Sequence, residues 1–269
     1  MPRLPFLIFA TAGLMHLAPQ APPKPSLLRV LANDYTLATS TQPRSGMVTI
    51  RLVNLGREMH MVDISPVPDS VTLRRFYELA TGAEPSPLVR DIGGPNLTPP
   101  GDSSEVTLAL GPGRYVLTCW VNTADGKPHI MRGMMSEVRI IGGTATLAPP
   151  RASVVVTASD YAFNVRGQFR AGDNTVAFEN SGPQEHDIQF VRLARGETIG
   201  LIQRWAERGG VGSPSHAVVG GSSGLAQGEH TWFTLHLRPG RYAMFCWVPD
   251  ARDGKMHLLH GMVREISVS

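Results

Sequence analysis

The sequence predicts an all-β protein of two tandem Greek-key β-sandwiches, each with a short helix in a connecting loop. Three observations carry this. PGRYVLTCWVNTADGKPHIMRGM at 112–134 returns as PGRYAMFCWVPDARDGKMHLLHGM at 239–262, so the 269-residue chain is an internal repeat and long enough for two cores. Short apolar runs punctuated by turn residues fill each copy, with no alternating strand–helix pattern. The composition, 28 Gly, 22 Pro and 17% charged residues, suits many turns and few long solvated helices. The net charge of +3 comes without a Lys/Arg run, so nucleic acid is not expected as a partner.

Residues 1–21 read as an export signal. Arg3 supplies the positive start, Leu4 to Leu17 is largely apolar, and small residues follow at Ala18 and Ala21. A membrane anchor needs about 20 apolar residues, and APQAPPKPS cuts this run short, so no membrane span is expected after signal removal. The expected location is the periplasm or the exterior. The first domain is placed at 27–142 and the second at 152–269, joined by the linker GGTATLAPPRA.

Within the copies, LLRVLANDYTL is matched by VVVTASDYAF, with Asp34-Tyr35 answering Asp160-Tyr161 at an offset of 126. The strands MVTIRLVN and NTVAFEN follow. In the first of these Val48, Ile50 and Leu52 share a face at period two. Six residues beyond Asn54 and Asn180 stand His60 and His186, each at the end of an inward face. SVTLRRFYELA has helical spacing with Ser70 as an N-cap, and TIGLIQRWAERGG is its weaker counterpart. EVTLAL and TWFTLHL are strands. The PGRY turn then starts the strand on which Tyr115, Leu117 and Cys119 share a face, as do Tyr242, Met244 and Cys246. Asp-Gly-Lys in each following loop predicts a tight turn.

Two cysteines in an exported chain suggest a disulfide. Equivalent core positions of separate domains rarely approach within the ~7 Å that a disulfide needs, and a metal that holds each as thiolate is the alternative. A thiolate, two imidazoles and a thioether suit copper, since sulfur favours Cu(I) and imidazole accommodates Cu(II). Zinc can also take a Cys and two His, and the Met tips the choice.

Each copy resembles the cupredoxin family, the blue-copper fold, in which an early His and a late Cys-loop-His-loop-Met segment converge on one copper. The resemblance covers essentially all of 27–269. It implies one type 1 copper at His60, Cys119, His129 and Met134 and another at His186, Cys246, His257 and Met262, up to two ions per chain. The Cys-to-His loops, nine and ten residues, are longer than in small single-domain carriers and more like those of copper nitrite reductases. Met135 rivals Met134, and His260 rivals the second set. The chain has no His-x-His pair of the multicopper-oxidase kind, and Thr118 and Phe245 precede the cysteines where nitrite reductases place a second-copper His. The resemblance therefore implies electron transfer without catalysis, with a redox protein as partner. Copper handling, with Met59, Met61 and Met131 as soft contacts and a copper acceptor as partner, is the first rival. A structural module with empty sites is the second. An inter-subunit catalytic copper at His216, His230 or His236 is the remote third. Trp120 and Trp247 are expected to pack away from the Cys face.

Overall fold

A computed structural model describes residues 24–82, 86–143, 148–213 and 217–269. The export signal, part of the linker and His216 lie outside the described residues. The chain is all-β with two short helices. In order come β1 (Ser26–Asn33), β2 (Thr36–Thr39), β3 (Gly46–Asn54), β4 (Asp63–Val67), α1 (Leu73–Ala80), β5 (Ser103–Leu110), β6 (Gly113–Thr118) and β7 (Met135–Ile140). The second copy repeats this order with one strand more, β12, after its helix: β8 (Val154–Ser159), β9 (Ala162–Gly167), β10 (Gly172–Asn180), β11 (His186–Leu193), α2 (Gly200–Glu207), β12 (Val218–Leu225), β13 (His230–Leu237), β14 (Gly240–Phe245) and β15 (Val263–Val268).

The first copy packs β2-β1-β3-β5 against the sheet β4-β6-β7, and the second packs β13-β10-β8-β9 against β12-β11-β14-β15. Alternation in β3 sends Val48, Ile50 and Leu52 into the first core beside Ile64, Leu117 and Cys119. Val176, Phe178, Ile188, Met244 and Cys246 do the same in the second. A Greek-key sandwich leads one to expect antiparallel pairs throughout, but β1 runs parallel to β3 and β8 to β10. A pattern of inward faces is the same for either direction, which is why the alternation did not distinguish them. The helix α1 is capped by the Thr72 side chain, which accepts from Arg75 N, and not by Ser70. Phe76 and Trp205 are buried, as core aromatics of these helices should be.

The two halves share a sheet. Trp232 of β13 pairs with Thr107 of β5, so eight strands run on edge to edge, and neither edge is left as a free template there. The segment before β5 also reaches across, with Ile92 bridging Leu225 and Pro95 bridging Ser222. Asn96 plugs the seam: its amide donates to Asp187 Oδ2, Ile188 O and Ser222 O. Nearby, burial raises the Asp91 and Asp187 carboxyls to about 6. Among the described residues, no helix is long and apolar enough to cross a membrane.

Candidate metal centres

Each centre draws on two stretches of chain. His60 sits in an isolated bridge with Thr98, and His186 opens β11. Cys119 follows β6 and Cys246 follows β14. The loop after each cysteine reverses at a glycine with positive φ, Gly126 at 78° and Gly254 at 70°, a conformation that disfavours side chains. It then closes in a 3-10 turn, His129–Arg132 or His257–His260. Backbone bonds lock the result: Cys119 N donates to Met134 O and Met134 N to His129 O, and Cys246, Met262 and His257 repeat the pattern. Met134 and Met262 are thereby held beside the cysteines, and both are fully buried with them.

The donor atoms converge. Cys119 Sγ lies 3.5 Å from His129 Nδ1 and 3.9 Å from His60 Nδ1, and the two nitrogens are 3.2 Å apart. In the second copy Cys246 Sγ lies 3.5 Å from His257 Nδ1 and 3.8 Å from His186 Nδ1, with the nitrogens 3.1 Å apart. In both triangles the point equidistant from the three atoms is about 2 Å from each, a metal–nitrogen bond length and within about 0.3 Å of a metal–thiolate one. Both groups fit a type 1 copper site.

The electrostatics complete the fit. Burial pushes the Cys119 thiol up to about 12 and the Cys246 thiol upward as well. A metal cation displaces the proton of such a thiol into solvent and binds the thiolate, which water alone does not bring about at neutral pH. The Met61 and Asp187 amides donate to the sulfurs at 3.5 and 3.4 Å and favour the thiolate. Burial also holds the rings neutral. It brings His60 and His257 down to about 4, helped by the facing imidazole, and lowers His129 and His186.

At His129, His186 and His257 the partners at Nε2 assign the proton there and leave the Nδ1 lone pairs facing the sulfur. Glu58 Oε2 lies 2.9 Å from His129 Nε2, Asp160 Oδ1 2.7 Å from His186 Nε2 and Gln184 Oε1 3.4 Å from His257 Nε2. Asp34 Oδ1 lies 3.4 Å from His60 Nε2, within ion-pair range but outside hydrogen-bond geometry. Glycine makes room for two of these pairs. A Cβ at Gly56 would stand 2.3 Å from Asp34 Oδ1 and 2.7 Å from His60 Nε2, and one at Gly182 would stand 2.8 Å from Asp160 Oδ1 and 2.9 Å from His186 Nε2.

All eight residues expected from the sequence are fully buried, and the six His and Cys donors form the two triangles. The cysteines are free, so no disulfide competes. The rivals stand aside. Met135 opens β7 opposite Thr118. His260 bonds Asp253 at 3.1 Å, in a separate group with Asp250 that Arg252 also touches. His230 and His236 are exposed on β13. Trp247 stacks on Trp205 with centroids 4.2 Å apart, while Trp120 and Trp247 both line a cavity of about 510 Å³ between the halves. The outer partners were missed by sequence reasoning: Asp34 and Asp160 appear there only as markers of the repeat, and Glu58 and Gln184 not at all. Their signal is the shared offset of 126 from one copy to the next.

No family model matches the chain, and no curated protein does. Among solved structures it is similar to the dithionite-reduced auracyanin of Roseiflexus castenholzii, at 20% identity over 43% of this chain and 94% of that one, with a TM-score of 0.32. It is also similar to the copper nitrite reductase of Nitrosomonas europaea, at 14% identity over 90% and 93%, with a TM-score of 0.25. A copper-containing nitrite reductase of Thermus scotoductus matches at 12% identity over 90% and 61%, also at 0.25.

Proposed function

We propose that the protein is an exported electron carrier with one type 1 copper site in each of the domains 27–142 and 152–269. His60, Cys119, His129 and Met134 hold the first ion, and His186, Cys246, His257 and Met262 the second. The observation that carries this reading is the donor triangle with its centre about 2 Å from each atom, formed twice by independent stretches of chain. Copper supplies one-electron chemistry there. The protein supplies a fixed donor set: packed cores and backbone locks hold the ligands where both oxidation states can use them, so little rearranges when an electron arrives.

Complete burial of the ligands favours a carrier over a delivery protein. Transfer of the ion to an acceptor requires a ligand that a second protein can replace, whereas an electron can leave through packed side chains. The reading assigns no reaction of its own, and a redox protein is the expected partner. Export rests on the sequence of residues 1–21. Voltammetry of the copper-loaded protein tests the reading, with a reversible one-electron wave per site and full retention of copper in the presence of a competing chelator as the expected result. Irreversible waves, with loss of copper to the chelator on reduction, would favour delivery instead.

A further inference from the structure

The repeat preserves the atoms that face the metal and changes what stands behind one of them. Behind His129 Nε2 is the Glu58 carboxylate at 2.9 Å, and at the matching position, 126 residues on, Gln184 faces His257 Nε2 at 3.4 Å. The tyrosines follow the carboxylates. Tyr35 Oη donates to Glu58 Oε1 at 3.0 Å, while Tyr161 Oη donates to Asp250. Asp250 stands one residue further from the ring: it accepts from Gln184 Nε2 at 3.1 Å and is met by the Arg252 backbone N–H and guanidinium. The first site thus has a carboxylate facing each of its two ligand rings, Glu58 at His129 and Asp34 at His60, and the second has one only at His186. At His257 the second has a neutral amide, with the Asp250 carboxylate set back and paired.

The other ring in each site opposes this in part. Asp160 is closer to His186 Nε2, at 2.7 Å, than Asp34 is to His60 Nε2, at 3.4 Å, and Asp34 also pairs with the exposed Arg57 at 3.2 Å. Magnitudes decide between them. Both aspartates carry their charge, and because Coulomb energy falls as 1/r, a shift below 1 Å over the roughly 6 Å from a metal across an imidazole changes it by about a tenth. Glu58 against Gln184 is a whole charge present or absent. The Arg57 pair is screened by water.

We infer that Glu58 makes the first site the poorer electron acceptor, so that a chain carrying a single electron holds it on the second copper. This rests on the copper reading above. A carboxylate on the ring N–H raises the basicity of the ligand and favours the more highly charged metal. In the exchange one electron leaves Cu(I) at the first site and reduces Cu(II) at the second, and no bond or proton moves. Each site has one ring bonded to a carboxylate, Glu58 on His129 and Asp160 on His186, so what separates them is the second charge that Asp34 adds to the first site, and the exchange equilibrium should favour the second site by on the order of tenfold, ~59 mV for one electron.

The test uses the full chain as Cys246→Ser, which isolates the first site, and as Cys119→Ser, which isolates the second, each titrated spectroelectrochemically through its thiolate-to-copper band. The expected result is a lower potential for the first site, raised by Glu58→Gln, and a potential for the second site lowered by Gln184→Glu. Gln184→Glu reads the same effect should Glu58→Gln fail to fold, and shifts in opposite directions are not what a loss of structure would produce. Equal potentials, a first site above the second, or potentials that neither change moves would overturn the inference while leaving the copper reading intact. Absence of the band from both isolated sites would overturn both.

Discussion

Gly182→Ala puts a methyl group into the space between Asp160 and His186. The new carbon would stand 2.8 Å from Asp160 Oδ1, 2.9 Å from His186 Nε2 and 3.1 Å from Ser159 Cα, where ordinary contact begins near 3.4 Å. Backbone closes one side, so the two polar atoms must retreat by roughly half an ångström, and their 2.7 Å hydrogen bond is what separates. Overpacking of this kind costs about 1–3 kcal/mol of stability. Loss of an outer partner from a ligating histidine typically lowers metal affinity by about 10–100-fold. Copper titration in a Cys119→Ser background, where only the second site reports, should show that loss alongside a lowered Tm. Gly101→Ala is the control: its φ is +79° and nothing lies within 4 Å of the added carbon, so it should cost about 1–2 kcal/mol from the left-handed backbone and leave copper affinity unchanged. If Gly182→Ala behaves like the control, the Asp160–His186 pair does not hold the ligand.

Other expectations follow from the same geometry. Asn96→Ala strands buried acceptors on Asp187, Ile188 and Ser222, and chemical denaturation should show a loss of about 2–3 kcal/mol; a neutral result would mean that the seam does not depend on this amide. The buried histidines' share of the metal-free protein's stability should fall as pH drops from about 6.5 to 4, while the buried Asp91 and Asp187 carboxyls, raised from 3.8 to about 6, act in the opposite sense below pH 6. His60 and His257 have folded-state values near 4, below the unfolded 6.5, so at these rings the unfolded chain binds more protons across that window and acid favours it. Thermal melts at a series of pH values, with copper chelated and with copper bound, check this. The loaded protein should hold its Tm further into acid, because the metal competes with the protons for Nδ1. His60→Gln and His257→Gln should each lessen the acid loss of the metal-free protein relative to the wild type, and a profile that neither change alters would contradict the burial of neutral rings.

Much of the site was legible because the chain states it twice. A single His at the end of a strand is ordinary core material, but His60 and His186, each placed with a Cys, a second His and a Met in the same order, are not explained by packing. The strands were legible for the same reason, since β3 and β10 each end at an Asn followed by a turn glycine. Most of what escaped depends on contacts between stretches far apart in the sequence, and one miss is local. Thr72 replaces Ser70 as the cap because the helix begins at Leu73, two residues later than a cap at Ser70 would start it. Asn96 has no counterpart role in the second copy, as it serves the junction between the copies and not either one alone. Glu58 and Gln184 stand at equivalent positions of the two copies, but nothing local marks them, and only the folded chain brings them to Nε2 of the late histidine.

The central claim is that a thiolate and two imidazoles in each half close on one copper ion. The visible spectrum of the copper-loaded protein, recorded beside Cys119→Ser and Cys246→Ser, tests it most directly: an intense charge-transfer band in the wild type, with each substitution removing its own share and the double change removing all of it. A colourless wild type with copper bound, or a band that survives the loss of both sulfurs, would contradict it.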